Sequence, residues 1–146
     1  MRIAYHATGA ALTAAALDAW IAATLALSAG AFDALASPGV LIEITEPNYP
    51  FAFEDSTHAD DRITLGGVSF SRLHYTGRRG DWQWSNVVTA EIAAWRAWYA
   101  ATSGFRLPFI VEIGDDRYAA AAPGPFPLQL TRQERWGGAA VFVEAP

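Results

Sequence analysis

The stretch DWQWSNVVTAEIAAWRAWYAATSG, residues 81–104, decides the fold, because the spacing of its large apolar residues changes from two to three and four inside it. From Asp81 to Val87 apolar and polar residues alternate, which puts Trp82 and Trp84 on one face of a strand and Asp81, Gln83 and Ser85 on the other. From Thr89 onward, Ile92, Trp95, Trp98–Tyr99 and Thr102 recur at helical steps. Thr89 is the expected N-cap, Glu91 meets the positive end of the helix dipole, and Ser103-Gly104 is the expected stop. A half-buried strand that runs into an amphipathic helix predicts an α+β domain, with a helix over about 89–103 packed across an antiparallel sheet.

The flanking sequence extends the sheet. Upstream, Thr76-Gly77-Arg78-Arg79-Gly80 reads as a hairpin loop, preceded by strands over Arg62–Leu65 and Val68–Tyr75 with Gly66-Gly67 between them. Glu54–Asp61 reads as a polar loop, Phe51–Phe53 as an edge strand and Val40–Thr45 as a short strand. Downstream, Pro108–Ile113 reads as a buried strand that turns at Gly114-Asp115-Asp116 into Arg117–Ala120. Phe126–Thr131 and Ala139–Glu144 follow, after breaks at Pro123-Gly124-Pro125 and Gly137-Gly138. The expected architecture is an antiparallel β-sandwich or partly open β-barrel.

The composition changes at Ser37-Pro38-Gly39. Fifteen of the first 36 residues are alanine, and Leu12, Ala16, Ala19–Trp20, Ala23 and Leu27 recur with helical spacing. Thr13 is the expected cap and Gly30 the expected stop, with one more turn over 31–36. The chain therefore divides into an N-terminal helical arm, 1–37, and a β-rich domain with an inserted helix, 38–146.

With 146 residues, folding leaves a surface of roughly 7,300 Å² out of about 22,800 Å² in the open chain, enough burial for a core without crosslinks. The absence of cysteine excludes disulfides, cysteine-ligated metals and thiol catalysis. The net charge is −5 and all ten basic residues are arginine, with one adjacent pair, Arg78–Arg79. That balance argues against nucleic acid as a partner. Only 17% of residues are charged while 52% are hydrophobic, where about 25% charged is usual, so part of the surface is expected to meet protein. Asp18 and Asp33 interrupt the longest apolar window, which argues against a membrane span and against a cleaved secretory signal.

Residues for chemistry are sparse. His6, His58 and His74 form no spaced metal pair, and no Gly-x-Ser-x-Gly elbow or phosphate-binding loop is present. Glu54–Asp61 gathers four carboxylates around His58, but without the rhythm of a calcium loop it reads as a solvated segment. No catalytic, cofactor-binding or metal residue is assigned. Trp82, Trp84, Trp95 and Trp98 are read as core. A carbohydrate- or receptor-binding β-sandwich that stacks sugars on Trp82 and Trp84 is the alternative. Trp20, Arg78, Arg79, Arg106 and Arg117 are the interface candidates.

The order of a hairpin with Trp82-x-Trp84, a helix carrying Glu91, Trp95, Trp98 and Tyr99 that ends at Gly104, and a strand opening with Pro108-Phe109 resembles the minor tail and distal tail proteins of tailed bacteriophages and gene transfer agents. The resemblance covers about a third of the chain. It implies a structural virion protein with no enzymatic activity and no cofactor, forming a homo-oligomeric ring near the tail tip. The implied partners are the tail tube and hub proteins, and the implied location is the virion tail after synthesis in the bacterial host cytoplasm. Such proteins often begin with strands, and the Ala-rich N-terminal helix departs from that pattern.

Overall fold

The computed structural model describes the backbone of residues 1–63 and 69–145, with side chains for 1–55 and 77–145. It is α+β. Eight strands form one antiparallel sheet that does not close into a barrel. They are β1 (Arg2–His6), β2 (Gly39–Glu43), β3 (Glu54–Ile63), β4 (Ser69–Val88), β5 (Phe109–Ile113), β6 (Asp116–Ala121), β7 (Leu128–Arg132) and β8 (Arg135–Glu144). The helices are α1 (Ala14–Leu25), α2 (Ala29–Asp33) and α3 (Ile92–Ala101). The sheet order is β2-β1-β5-β6-β8-β4-β3, and β7 lies beside the first half of β8.

The sheet separates two cores. On one face α3 packs Trp95 and Trp98 against Ile3, Tyr5, Trp84, Phe109, Val111 and Phe142. On the other, α1 and α2 cover β1, β5 and β6 through Ile21, Phe32, Ala4 and Ile110. Successive side chains of a strand point to opposite faces, so β1 feeds both cores, Ile3 and Tyr5 to one and Ala4 to the other. Among the described residues no helix covers the outer face of β4 and β8, and Asp81, Gln83, Ala139 and Val141 are exposed there.

Several elements differ from the sequence reading. The 1–37 segment is not wholly helical, because Arg2–His6 is a strand flanked by β2 and β5. Thr13 caps α1, its hydroxyl accepting from Ala16 N–H at 3.3 Å. Gly30 is not the stop, since α1 ends at Leu25 and Ser28 caps α2 around that glycine. Thr76–Gly80 is not a hairpin loop: β4 runs through it without a break. Gly80 is required there for space, as a Cβ would meet the Trp82 indole Nε1 at 2.5 Å. Glu54–Asp61 is strand β3, not a loop, and Phe51–Phe53 is not a strand. Gly66-Gly67 lies outside the described residues. Thr89 does not cap α3 through its side chain. It opens a 3₁₀ turn, Thr89–Glu91, and its hydroxyl accepts from Trp136 Nε1 at 3.1 Å. The Ser103-Gly104 stop is present, both residues at positive φ.

Candidate assembly interface

The four expected core tryptophans are core. Trp82, Trp84, Trp95 and Trp98 are at most 3% exposed. The Trp82 indole donates to the Ala52 carbonyl at 3.1 Å and the Trp84 indole to the Thr45 carbonyl at 2.9 Å. These bonds fasten the crossing segment 44–53 to the sheet, and Glu91 adds bonds from the Thr45 N–H and hydroxyl. Buried rings have no face to offer a sugar, which removes the stacking role considered for Trp82 and Trp84. The Trp95 and Trp98 indole nitrogens are buried without a polar partner. The two rings are packed among other aromatics, Trp84 with Trp95 at 5.2 Å and Trp98 with Phe109 at 4.8 Å, both edge-to-face.

The interface candidates separate by position. Arg78 and Arg79 are about half exposed on β4, Arg78 near Asp55 at 3.6 Å and over the Tyr118 ring, Arg79 bonded to Asp81 at 3.0 Å. Arg106 is exposed after α3. Trp20 is half-buried, edge-on to the buried His6 ring at 5.4 Å, so it holds α1 down. Arg117 is directed inward. Its side chain is 13% exposed, its Nε donates to Glu112 at 2.8 Å and another guanidinium nitrogen donates to the Leu27 carbonyl at 2.7 Å.

Glu112, Arg117, Arg2, Asp33 and Phe32 form a cluster that composition and periodicity did not reveal. Glu112 is 8% exposed and accepts from both arginines, Arg2 Nε at 2.6 Å. Arg2 also bonds Asp33 at the end of α2. Its guanidinium is held above the ordinary arginine value by hydrogen bonds to Asp33 and then Glu112. The two arginines bracket the Phe32 ring at 3.9 and 5.5 Å from its centre. Glu112 and Arg117 are turned inward while Asp33 remains about half exposed, and the contacts run from the sheet to Phe32 and Asp33 of α2 and to Leu27 just after α1, so the cluster clips α2 and the end of α1 to the sheet.

The free surfaces lie elsewhere. Residues 79–88 of β4 rest on β8, while 69–78 have only β3 as a ladder partner among the described residues. The β3–β4 pair thus continues about 30 Å past the ladder shared with β8. β2 and β3 end the sheet on opposite sides, each with one edge that has no strand partner among the described residues. On α1, Ala14, Ala15, Ala16, Ala19, Ala22 and Ala23 are exposed beside a single charge, Asp18.

The side chain of His58 and those of 56–61, weighed for a cation, lie outside the described residues, as does that of His74. Among the described residues no group of three or more His, Asp or Glu is placed to hold a metal. Among the same residues, no helix is long and apolar enough to cross a membrane. No family model, no curated protein and no solved structure matches the chain.

Proposed function

We propose that the chain is a structural subunit of a phage-like tail that assembles side by side with copies of itself, as a ring near the tail tip, and meets tube and hub proteins there. The observation that carries this reading is the pair of unlike free edges at opposite ends of an open sheet. Unlike surfaces join head to tail, and head-to-tail joins close into rings when the rotation permits. The exposed alanines of α1 are where the missing charge is concentrated, and they offer a thin face for close packing. The tail-protein resemblance of residues 62–112 supplies the class of particle.

Native mass and light scattering test the reading on the purified chain, with mass spectrometry of particles from its source. A multimer that dissociates when Ala15 and Ala22 are replaced by glutamate, or a copy number of several per particle, is the expected result. A chain that stays monomeric at high concentration and is missing from every such particle overturns it.

A further inference from the structure

Strand β8 has two different neighbours along one edge. Residues 135–138 lie beside β7 and 143–144 beside β6. Between them Ala139–Phe142, about 13 Å of strand, have no ladder partner on that side among the described residues. The connecting segment Ala122–Pro127 leaves the sheet there: Ala122 N–H donates to the Phe105 carbonyl, and the Gly124 carbonyl accepts from the Tyr99 hydroxyl. A slot of about 440 Å³ results, bordered by Trp82, Phe105, Pro125, Phe126, Ala139 and Val141.

The direction of the β8 backbone groups follows from two hydrogen bonds. Ala145 N–H donates to the Ala119 carbonyl of β6 at 2.8 Å, so Ala145 turns its polar groups toward the β6 edge. Strand alternation gives the same direction to Val143, Val141 and Ala139. On the opposite side the Gln83 carbonyl accepts from Asn48 N–H at 2.7 Å and so points away from β8. Its cross-strand partner Ala139 then points away from β4, in agreement. Two N–H and two C=O groups of β8, from Ala139 and Val141, therefore face the slot. Among the described residues no turn, loop or side-chain hydrogen bond reaches them. The facing segment cannot complete the ladder. Continuing the Leu128↔Gly138 register places Pro127 opposite Ala139, and Pro125 and Pro123 follow at two-residue steps, none with an N–H to donate. Val141 is 41% exposed, and Asp81, the one charged residue at the slot, already has Arg79 as its partner at 3.0 Å, so the slot offers no free charge.

We propose that the slot binds a short extended segment of a partner polypeptide, uncharged and with apolar side chains toward the slot borders, as an added strand bonded to Ala139 and Val141. Only a peptide backbone in extended form repeats a donor and an acceptor at this spacing, and apolar borders accept its alternate side chains. The site is independent of ring formation and stands or falls separately from it.

Amide exchange and NMR titration with acetyl-Val-Thr-Val-amide, about 10 Å of strand and short enough for the gap, test the assignment. In the free protein the amides of 139 and 141 should exchange about a hundredfold faster than those of 140 and 142. The peptide should slow them by about tenfold or more and shift their resonances, while the same peptide N-methylated at every amide does neither. Val141→Pro removes the slot-facing donor without touching the β4 ladder, so it should fold and bind about tenfold or more weakly. Protection of 139 and 141 in the free protein, equal binding of the methylated peptide, or no shift at millimolar peptide overturns the proposal. The exchange and methylation comparisons decide it even if Val141→Pro fails to fold.

Discussion

Replacing Glu112 by glutamine tests whether the charged cluster holds α1 and α2 on the sheet. The amide keeps the side-chain volume but removes the charge that two guanidinium groups share. One acceptor oxygen remains for two donors, so one charge-assisted bond is lost, worth about 1.5–3 kcal/mol. Arg2 is a third exposed and keeps Asp33, which moderates the loss on its side. Arg117, 13% exposed, has no such alternative and retains the Leu27 carbonyl and the Phe32 ring. The expected destabilisation is about 2–3 kcal/mol. With a urea slope of roughly 2 kcal/mol/M, the midpoint falls by about 1–1.5 M. Amide exchange locates the effect: α1 and α2 open more readily than α3, whose core does not include the cluster. A double-mutant cycle with Arg117→Met should show coupling of about 1 kcal/mol or more. A loss under about 0.5 kcal/mol, or additive effects in the cycle, would refute the clip and leave α1 and α2 held by apolar contacts such as those of Trp20, Ile21 and Phe32.

Gly138→Ala should be among the most damaging small changes, since a Cβ would overlap the Pro127 carbonyl oxygen, part of the backbone. A loss of about 3 kcal/mol is expected, read as a melting shift of roughly 6–12 °C. Gly30→Ala, where nothing lies within 4 Å of the added methyl, should instead hold or raise the melting temperature. Thr13→Ala removes the acceptor for Ala16 N–H and should destabilise by about 1 kcal/mol in urea melts. Burial raises the Tyr5 phenol above the ordinary tyrosine value near 10. The folded state then holds its proton where the unfolded chain has released it, so the contribution is complete below about pH 10 and is lost as pH rises above it. Tyr5→Phe should therefore be less sensitive than the parent to pH above about 10 in thermal melts, and parallel pH profiles would count against the burial argument.

The sequence was legible where one face of an element is buried and the other is wet. The helix after Thr89 and the strand through Trp82 and Trp84 meet that condition, and both stand nearly where expected. β1 does not: Ile3 and Tyr5 enter one core and Ala4 the other, so no polar alternation marks it. β3 fails in the opposite way. Glu-Asp-Ser-Thr-His-Ala-Asp-Asp has no apolar face, because its backbone pairs with β4 beyond the reach of β8. Hydrophobic period reports burial and not backbone pairing, so a strand built from polar residues looks like a loop. Gly80 misled for a third reason. It supplies room for the Trp82 ring and no turn, and close approach leaves the same residue in the sequence as positive φ does. The charged cluster was half legible. Glu112 and Arg117 are direct partners across the turn expected at Gly114-Asp115-Asp116, but Arg2 joins them from 110 residues away.

The low charge of the chain has two separate causes, and they bear differently on assembly. Part of it follows from the doubly covered half of the sheet, where β1 and β5 have no solvent face and so no place for a charge except the clip itself. That part predicts nothing about partners. The other part is the outer side of α1, where exposed alanine replaces the glutamate and arginine that a solvated helix ordinarily carries. Alanine there contributes helix propensity but almost no buried area within the chain, so folding alone does not explain it. The distinction makes charge addition a selective probe. Glutamates at Ala15 and Ala22 should leave monomer stability within about 0.5 kcal/mol, because both positions are exposed. If copies pack against this face, the same substitutions separate them, since each subunit then brings unpaired charge into a contact that cannot solvate it. Assembly that survives the charges would move the contact to the free edges of β2 and β3 and leave the alanine face unexplained.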